Sequence, residues 1–234
     1  MRFTFAAVAV AFAVVAVAVP ASAADPALPH EHHGKLKPYP RPPKPFVATD
    51  AEKAVLLTGK PAMRQAEGDT GGRGLAVFVV DAPPDLAWST IQEFKSYPKW
   101  IPEVKICDVY KKDGGKIDVH FQIQSFPVTI EYYIHHDYDL ANRWGTWTLD
   151  YDRQSDLDDS VGFWRVTPVE GSPDKAQVEY SVDIALKGWV PGFVRSILVD
   201  NGLKQATQWV KVQSEKRFKS QPKTSSSSAP AAAP

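Results

Sequence analysis

The sequence predicts an α+β fold in which a curved antiparallel sheet wraps around one long C-terminal helix, with two short helices after the first strand. Two patterns carry this. Over 191–218, apolar residues recur at about 100° per residue: Val194, Leu198, Val199, Gly202, Leu203, Ala206, Trp209, Val210 and Val212 share one face, while Asp200, Lys204, Thr207, Gln208, Lys211, Ser214 and Glu215 share the other. Between 75 and 186 the chain instead alternates apolar and polar residues with a period of two, in runs broken by Gly, Pro and Asp. A sheet with one apolar face must bury it, and no other segment is long enough to cover it.

The chain starts with an export signal. Arg2 precedes an apolar run from Phe3 to Val19, and Ala21-Ser22-Ala23 forms a small-x-small cleavage site, which places the cut before Ala24 and the mature protein in the periplasm or outside the cell. No cysteine follows the run, so no lipid is expected there. The 27 basic and 27 acidic residues balance, and loss of Arg2 leaves a net charge of −1. That gives no basic surplus for nucleic acid. The single Cys107 lies in a strand pattern and reads as a buried, inert thiol.

Residues 24–50 are rich in proline and read as an extended linker, with His30, His32 and His33 as a solvated, titratable tether rather than a metal site. An N-terminal extension of the domain, 51–74, contains a short helix from Asp50 to Gly59 and a turn at 68–74, which a strand precedes. The regular domain spans 75–219. Its first strand begins at Leu75. Pro83 and Pro84 open a helix that Pro98 closes, and a second helical turn ends before Pro102. Asp113-Gly114-Gly115 marks a hairpin. Four further strand patterns follow, and the acid run Asp150 to Asp159 reads as a solvated turn because it lacks the glycine and closing glutamate of a calcium loop. Residues 220–234 form a disordered, low-complexity tail.

Four phrases carry a family resemblance: 81–104 (DAPPDLAWSTIQEFKSYPKWIPEV), 162–169 (GFWRVTPV), 178–191 (VEYSVDIALKGWVP) and the closing helix. Across about 75–215 the chain resembles the START-like helix-grip (SRPBCC) superfamily, in its polyketide cyclase/dehydrase and coenzyme Q-binding branch. The resemblance implies a cavity between sheet and long helix that holds an apolar molecule such as a lipid, sterol, quinone or polyketide.

Gly202 and Ala206 sit one turn apart in the middle of the helix's apolar face. A glycine in a helix interior costs roughly 1 kcal/mol against alanine, so a close neighbour or room for a ligand is expected there. Strand alternation nominates Phe121, Tyr132, Trp147, Leu149 and Tyr180 as walls, with Trp209 at the helix end. Arg165 is expected at a solvated strand edge, or paired with a strand acid such as Asp150 or Asp183, or facing a ligand head group. No nucleophile elbow, zinc-protease helix or phosphate loop is present. Strand parity allows an acid–base pair inside the cavity, such as Tyr132 with His136. The expectation is therefore a monomeric exported carrier of a hydrophobic small molecule, without metal or cofactor, making transient membrane contact through Trp100, Trp189 and Phe193. The alternatives are a cyclase or dehydratase using the same cavity, and a domain that binds a protein partner through its sheet edge.

Overall fold

In this computed structural model the described residues are 24–68, 71–125, 128–187 and 202–221. The segments read from sequence as an export signal, as the start of the C-terminal helix (191–201, with Phe193) and as a tail from 222, together with Trp189, lie outside them.

Helix α1 (Asp50–Leu57) is fixed by a capping box, in which Thr49 and Glu52 satisfy each other's backbone amides. Strands β1 (Ala62–Gly68) and β2 (Gly71–Val80) follow. Helix α2 (Pro84–Ile91) starts on Pro84, whose missing N–H costs nothing in a first turn. A single 3₁₀ turn (Phe94–Ser96) leads into α3 (Tyr97–Trp100). Then come β3 (Val104–Asp113), β4 (Lys116–Ser125), β5 (Val128–Asp139), β6 (Trp144–Leu149), β7 (Leu157–Val169) and β8 (Ser172–Leu186). The β3–β4 hairpin turns on Gly114, at φ 55°, a conformation that favours glycine. The last element is α4 (Gly202–Ser220).

All eight strands join one antiparallel sheet in the order β1-β2-β8-β7-β6-β5-β4-β3. β2 therefore pairs with the last strand, in the register Phe78↔Val178 and Ala76↔Tyr180. Parity sorts the side chains. Ile117, Val119 and Phe121 of β4, Ile134 and His136 of β5, and Val178 of β8 face the helices and are buried. Alternate residues face the other way. That outer face is not simply wet: Asp118, Glu179, Ser181 and Asp183 on it are also buried.

Helix α4 packs against β2 and α2. Its buried stripe includes Leu203, Thr207, Val210 and Ser214, whereas Val212 is 49% exposed. This corrects the face read from hydropathy. The inward stripe follows a spacing of four, three and four residues, which is the period of a helix seam, and two of its positions carry small hydroxyl side chains that hydropathy alone assigns outward.

The largest difference from expectation lies in the proline-rich leader. It is extended, yet bound along the outer face of the sheet. His30 is 5% exposed, and its ring nitrogens meet the Asp158 carbonyl and the Ser155 amide. The Lys35 and Leu36 amides both donate to Asp159, which is fully buried. Tyr39 donates to Asp183, and the Phe46 amide to Glu179. Arg41 pairs with Asp137 and lies over Trp144. The acid run is thus an anchor for leader amides, not a solvated turn. Arg165 likewise turns outward and donates to the Pro43 carbonyl, while Asp183 is taken by Arg73. Proline explains the arrangement: a chain with few amide donors cannot make another strand, so it crosses the sheet and spends its remaining donors on carboxylates.

Candidate functional site

The inner face is lined with rings. Tyr132 stacks on Phe121, with centroids 5.3 Å apart. Trp147 stacks on Tyr180 at 5.8 Å, and Trp164 meets the other side of Tyr180 at 4.2 Å. Trp209 of α4 reaches Trp164 at 6.4 Å, Tyr97 at 4.6 Å and Trp100 at 5.7 Å. His136 joins the two groups, 6.4 Å from Phe121 and 6.2 Å from Trp147. The belt therefore runs from β4 and β5 through β6 and β8 to the helix.

Two glycines make room for it. A Cβ at Gly162 would collide with the Trp147 indole and the Ser181 carbonyl, so β7 must be bare where Trp147 lies across it. A Cβ at Gly145 would strike the Tyr138 ring. Both are close approaches of the kind that fix glycine within strands.

Of the residues nominated from sequence, Phe121, Tyr132, Trp147, Tyr180 and Trp209 meet in this belt. Leu149 is 1% exposed and enclosed in the core beside it. Gly202 and Ala206 are helical, but their side-chain surroundings lie outside the described residues. Sequence reasoning did not nominate Trp164. Its parity with Gly162 and Val166, both small or apolar, is the signal that places it inward. Trp100 is half-buried against Trp209 rather than free at a surface.

The chemistry of the belt is neutral. Among the described inward positions of β4, β5 and β6 and of 176–186 in β8 there is no Asp, Glu, Lys or Arg. Burial pushes the phenols of Tyr132, Tyr138 and Tyr180 well above their ordinary range. Burial also lowers His136 to about 3, against a weaker opposing hydrogen bond to the Ile117 carbonyl. The Cys107 thiol, 2% exposed, is pushed up the same way and is inert. Tyr132 and Tyr180 combine this depth with accessible surface, being only half-buried by exposure. Tyr138 Oη and Trp88 Nε1 are buried with no hydrogen-bond partner. No group of His, Cys, Asp and Glu among the described residues could hold a metal ion.

A concavity of about 520 Å³ lies on the outer face where the leader crosses β1, β2 and β8. Phe46, Leu75 and Phe163 wall it. Two of its cations are already engaged: Arg64 grips Glu52 and covers the Phe46 ring at 4.5 Å, and Arg73 grips Asp183.

Comparison with known proteins identifies the architecture. A family model described as polyketide cyclase/dehydrase and lipid transport matches residues 75–209. The fold is shared with the Zhui aromatase/cyclase of a Streptomyces species (TM-score 0.55, 16% identity, covering 67% of this chain and 96% of that one). It is shared with a START superfamily protein of Mycobacterium smegmatis (0.51, 17%, 66% and 98%). A STAR-related lipid transfer protein of Xanthomonas axonopodis has it too (0.52, 15%, 71% and 96%). No curated protein matches the sequence significantly. With its START-like helix-grip architecture and a family match over more than half its length, the chain belongs to the polyketide cyclase/dehydrase and lipid transport family.

Proposed function

We propose that this protein is an exported binding and transfer protein that holds a hydrophobic small molecule, of lipid, sterol or quinone type, in a hollow between the inner sheet face and the C-terminal helix. The observation that carries this is the pair Tyr132 and Tyr180, rings deep inside the molecule that nevertheless keep accessible surface. A packed core encloses its rings, and a lined hollow does not. The absence of charge from the described inward positions of β4, β5 and β6 and from 176–186 of β8 fits an apolar guest, for which each buried CH₂ contributes about 0.8 kcal/mol. Export rests on the N-terminal sequence. We further propose that the carrier acts as a monomer and loads by brief contact with a membrane.

Catalysis in the same hollow is the weaker reading. A general base works best with a pKa near the operating pH. His136 at about 3 is far from that, and Tyr132 is pushed away in the opposite direction.

Mass spectrometry of the natively purified protein tests the proposal. The expected result is one apolar molecule per chain, released by solvent extraction. Protein that carries none, and takes up none from lipid vesicles, ends the carrier reading.

A further inference from the structure

The concavity on the outer face of the sheet has a floor made by one cross-strand row. Arg64 of β1 lies opposite Leu75 of β2, Leu75 opposite Ser181 of β8, and Ser181 opposite Phe163 of β7. Residues opposite one another in a sheet point to the same face. The leader supplies the walls. Tyr39 packs edge-on against Phe163, 4.9 Å between ring centroids, and its hydroxyl meets Ser181 Oγ at 2.8 Å. Residues 44–47 stand at the β1 side, where the Phe46 ring lies beneath the Arg64 guanidinium at 4.5 Å. The resulting volume of about 520 Å³ is that of a site for a small organic molecule.

Its lining has two characters. Phe46, Leu75 and Phe163 give apolar and aromatic surface, and Val47 continues it to a rim where its side chain is 80% exposed. Lys44, Arg64 and Arg73 add three cations, and among the described lining residues there is no Asp or Glu. The acids that answer the two arginines, Glu52 and Asp183, lie outside the lining. Arg73 keeps 65% of its side chain exposed while it holds Asp183, and Lys44 is exposed as well. The hollow therefore meets solvent with rings and positive charge together. Because two of the three cations already share their charge with an acid, a singly charged anion matches it better than a multiply charged one.

We propose that this outer hollow binds a planar aromatic monocarboxylate, with its ring over Leu75 between Phe46 and Phe163 and its carboxylate on the lysine and arginines. The aromatic walls supply flat contact for the ring, and charge-assisted hydrogen bonds fix the carboxylate. The site is separate from the inner face and does not depend on the carrier reading. It also depends on the leader, because Tyr39, Lys44, Pro45, Phe46 and Val47 are five of its lining residues. A ligand that binds only the docked leader stabilises docking by mass action, so the bound anion acts as a clamp on residues 39–47.

The test uses 2-naphthoate and 2-naphthamide, which share shape and differ in charge, titrated into the full chain and followed by backbone amide NMR. Naphthoate is expected to shift the amides of Phe46, Val47 and Ala66 and to bind about tenfold more tightly than the amide, the size of one charged hydrogen bond. Lys44→Glu is expected to weaken naphthoate about tenfold and to leave naphthamide binding in place; Lys44 is exposed, so the fold does not rest on it. Equal binding of the two probes overturns the inference, as do shifts confined to the inner-face strands β4 and β5. The clamp has its own readout in the unsubstituted protein, the Phe46 amide that donates to Glu179. With naphthoate at a hundred times its Kd, hydrogen exchange there should slow by about tenfold or more. Exchange that is unchanged at saturation overturns the link to the leader.

Discussion

At the scale of single residues, His136 sets a measurable pH dependence. Its folded pKa of about 3 lies below the value near 6.5 of an exposed histidine. The folded state therefore holds the neutral ring, and the unfolded chain takes up the proton first. The stability linked to this residue is fully present above pH 6.5 and is lost as pH falls from there toward 3. The slope is at most about 1.4 kcal/mol per pH unit. Urea unfolding at pH 6.5 and 4.5 should show the unsubstituted protein losing roughly 2–3 kcal/mol more than His136→Phe across that interval. Equal losses would place the imidazole in contact with water in the native state.

At the scale of elements, the leader is a structural component of the sheet's outer face. It brings amide donors to Asp159 and Glu179 and a phenol to Asp183. It also packs Tyr39 against Phe163, 4.9 Å between centroids. A chain beginning at Val47 instead of Ala24 should be less stable by about 2 kcal/mol or more, lowering Tm by roughly 4–8 °C for a protein of this size. An unchanged melting curve would mean the leader contributes nothing net. Acid should loosen the leader in the full chain. Burial lowers His30 from 6.5. Asp158 is held low by bonds from Lys35 and His32, although burial opposes them. Both contributions are present at neutral pH and fade as pH falls, His30's from about 6.5 and Asp158's in the carboxylate range.

How much of this was legible in sequence differs by element. The strands, the hairpin at Gly114 and the two proline-started helices follow from local period and turn chemistry, which act over a few residues. β1 was only hinted at by the turn after it. Four of the belt's rings follow from alternation once a strand's parity is known, and Trp209 follows from the helical period. The leader's docking was not legible, because it depends on pairs such as Lys35 with Asp159 and Phe46 with Glu179 that are far apart in the chain. Proline-rich composition describes a free extended segment and a bound one equally well. The same limit hid Arg165, whose partner is the Pro43 carbonyl and not an acid.

At the scale of the whole molecule, the sheet is a divider between two unlike surfaces. One side is aromatic and, at the described inward positions of β4, β5 and β6 and of 176–186 in β8, uncharged; the other is an ion-pair and hydrogen-bond lattice sealed by the leader. Ligand capture on the inner side should therefore raise stability by mass action without disturbing the outer lattice. Protein stripped of bound material should gain about 2.7 kcal/mol when naphthol is supplied at a hundred times its Kd, read as a rise in Tm of roughly 5–10 °C. No rise at saturation would show that the probe binds the unfolded chain as well.

The pairing of β2 with β8 bears on how the protein is made. Phe78 finds Val178, and Ala76 finds Tyr180, about a hundred positions later in the chain. During synthesis the early strand has no permanent neighbour on that side until residue 186 has emerged. Such distant pairings fold slowly, on a scale of milliseconds to seconds. That delay leaves the β8 side of β2 open through most of synthesis, so the sheet can close only once the second half of the chain is present.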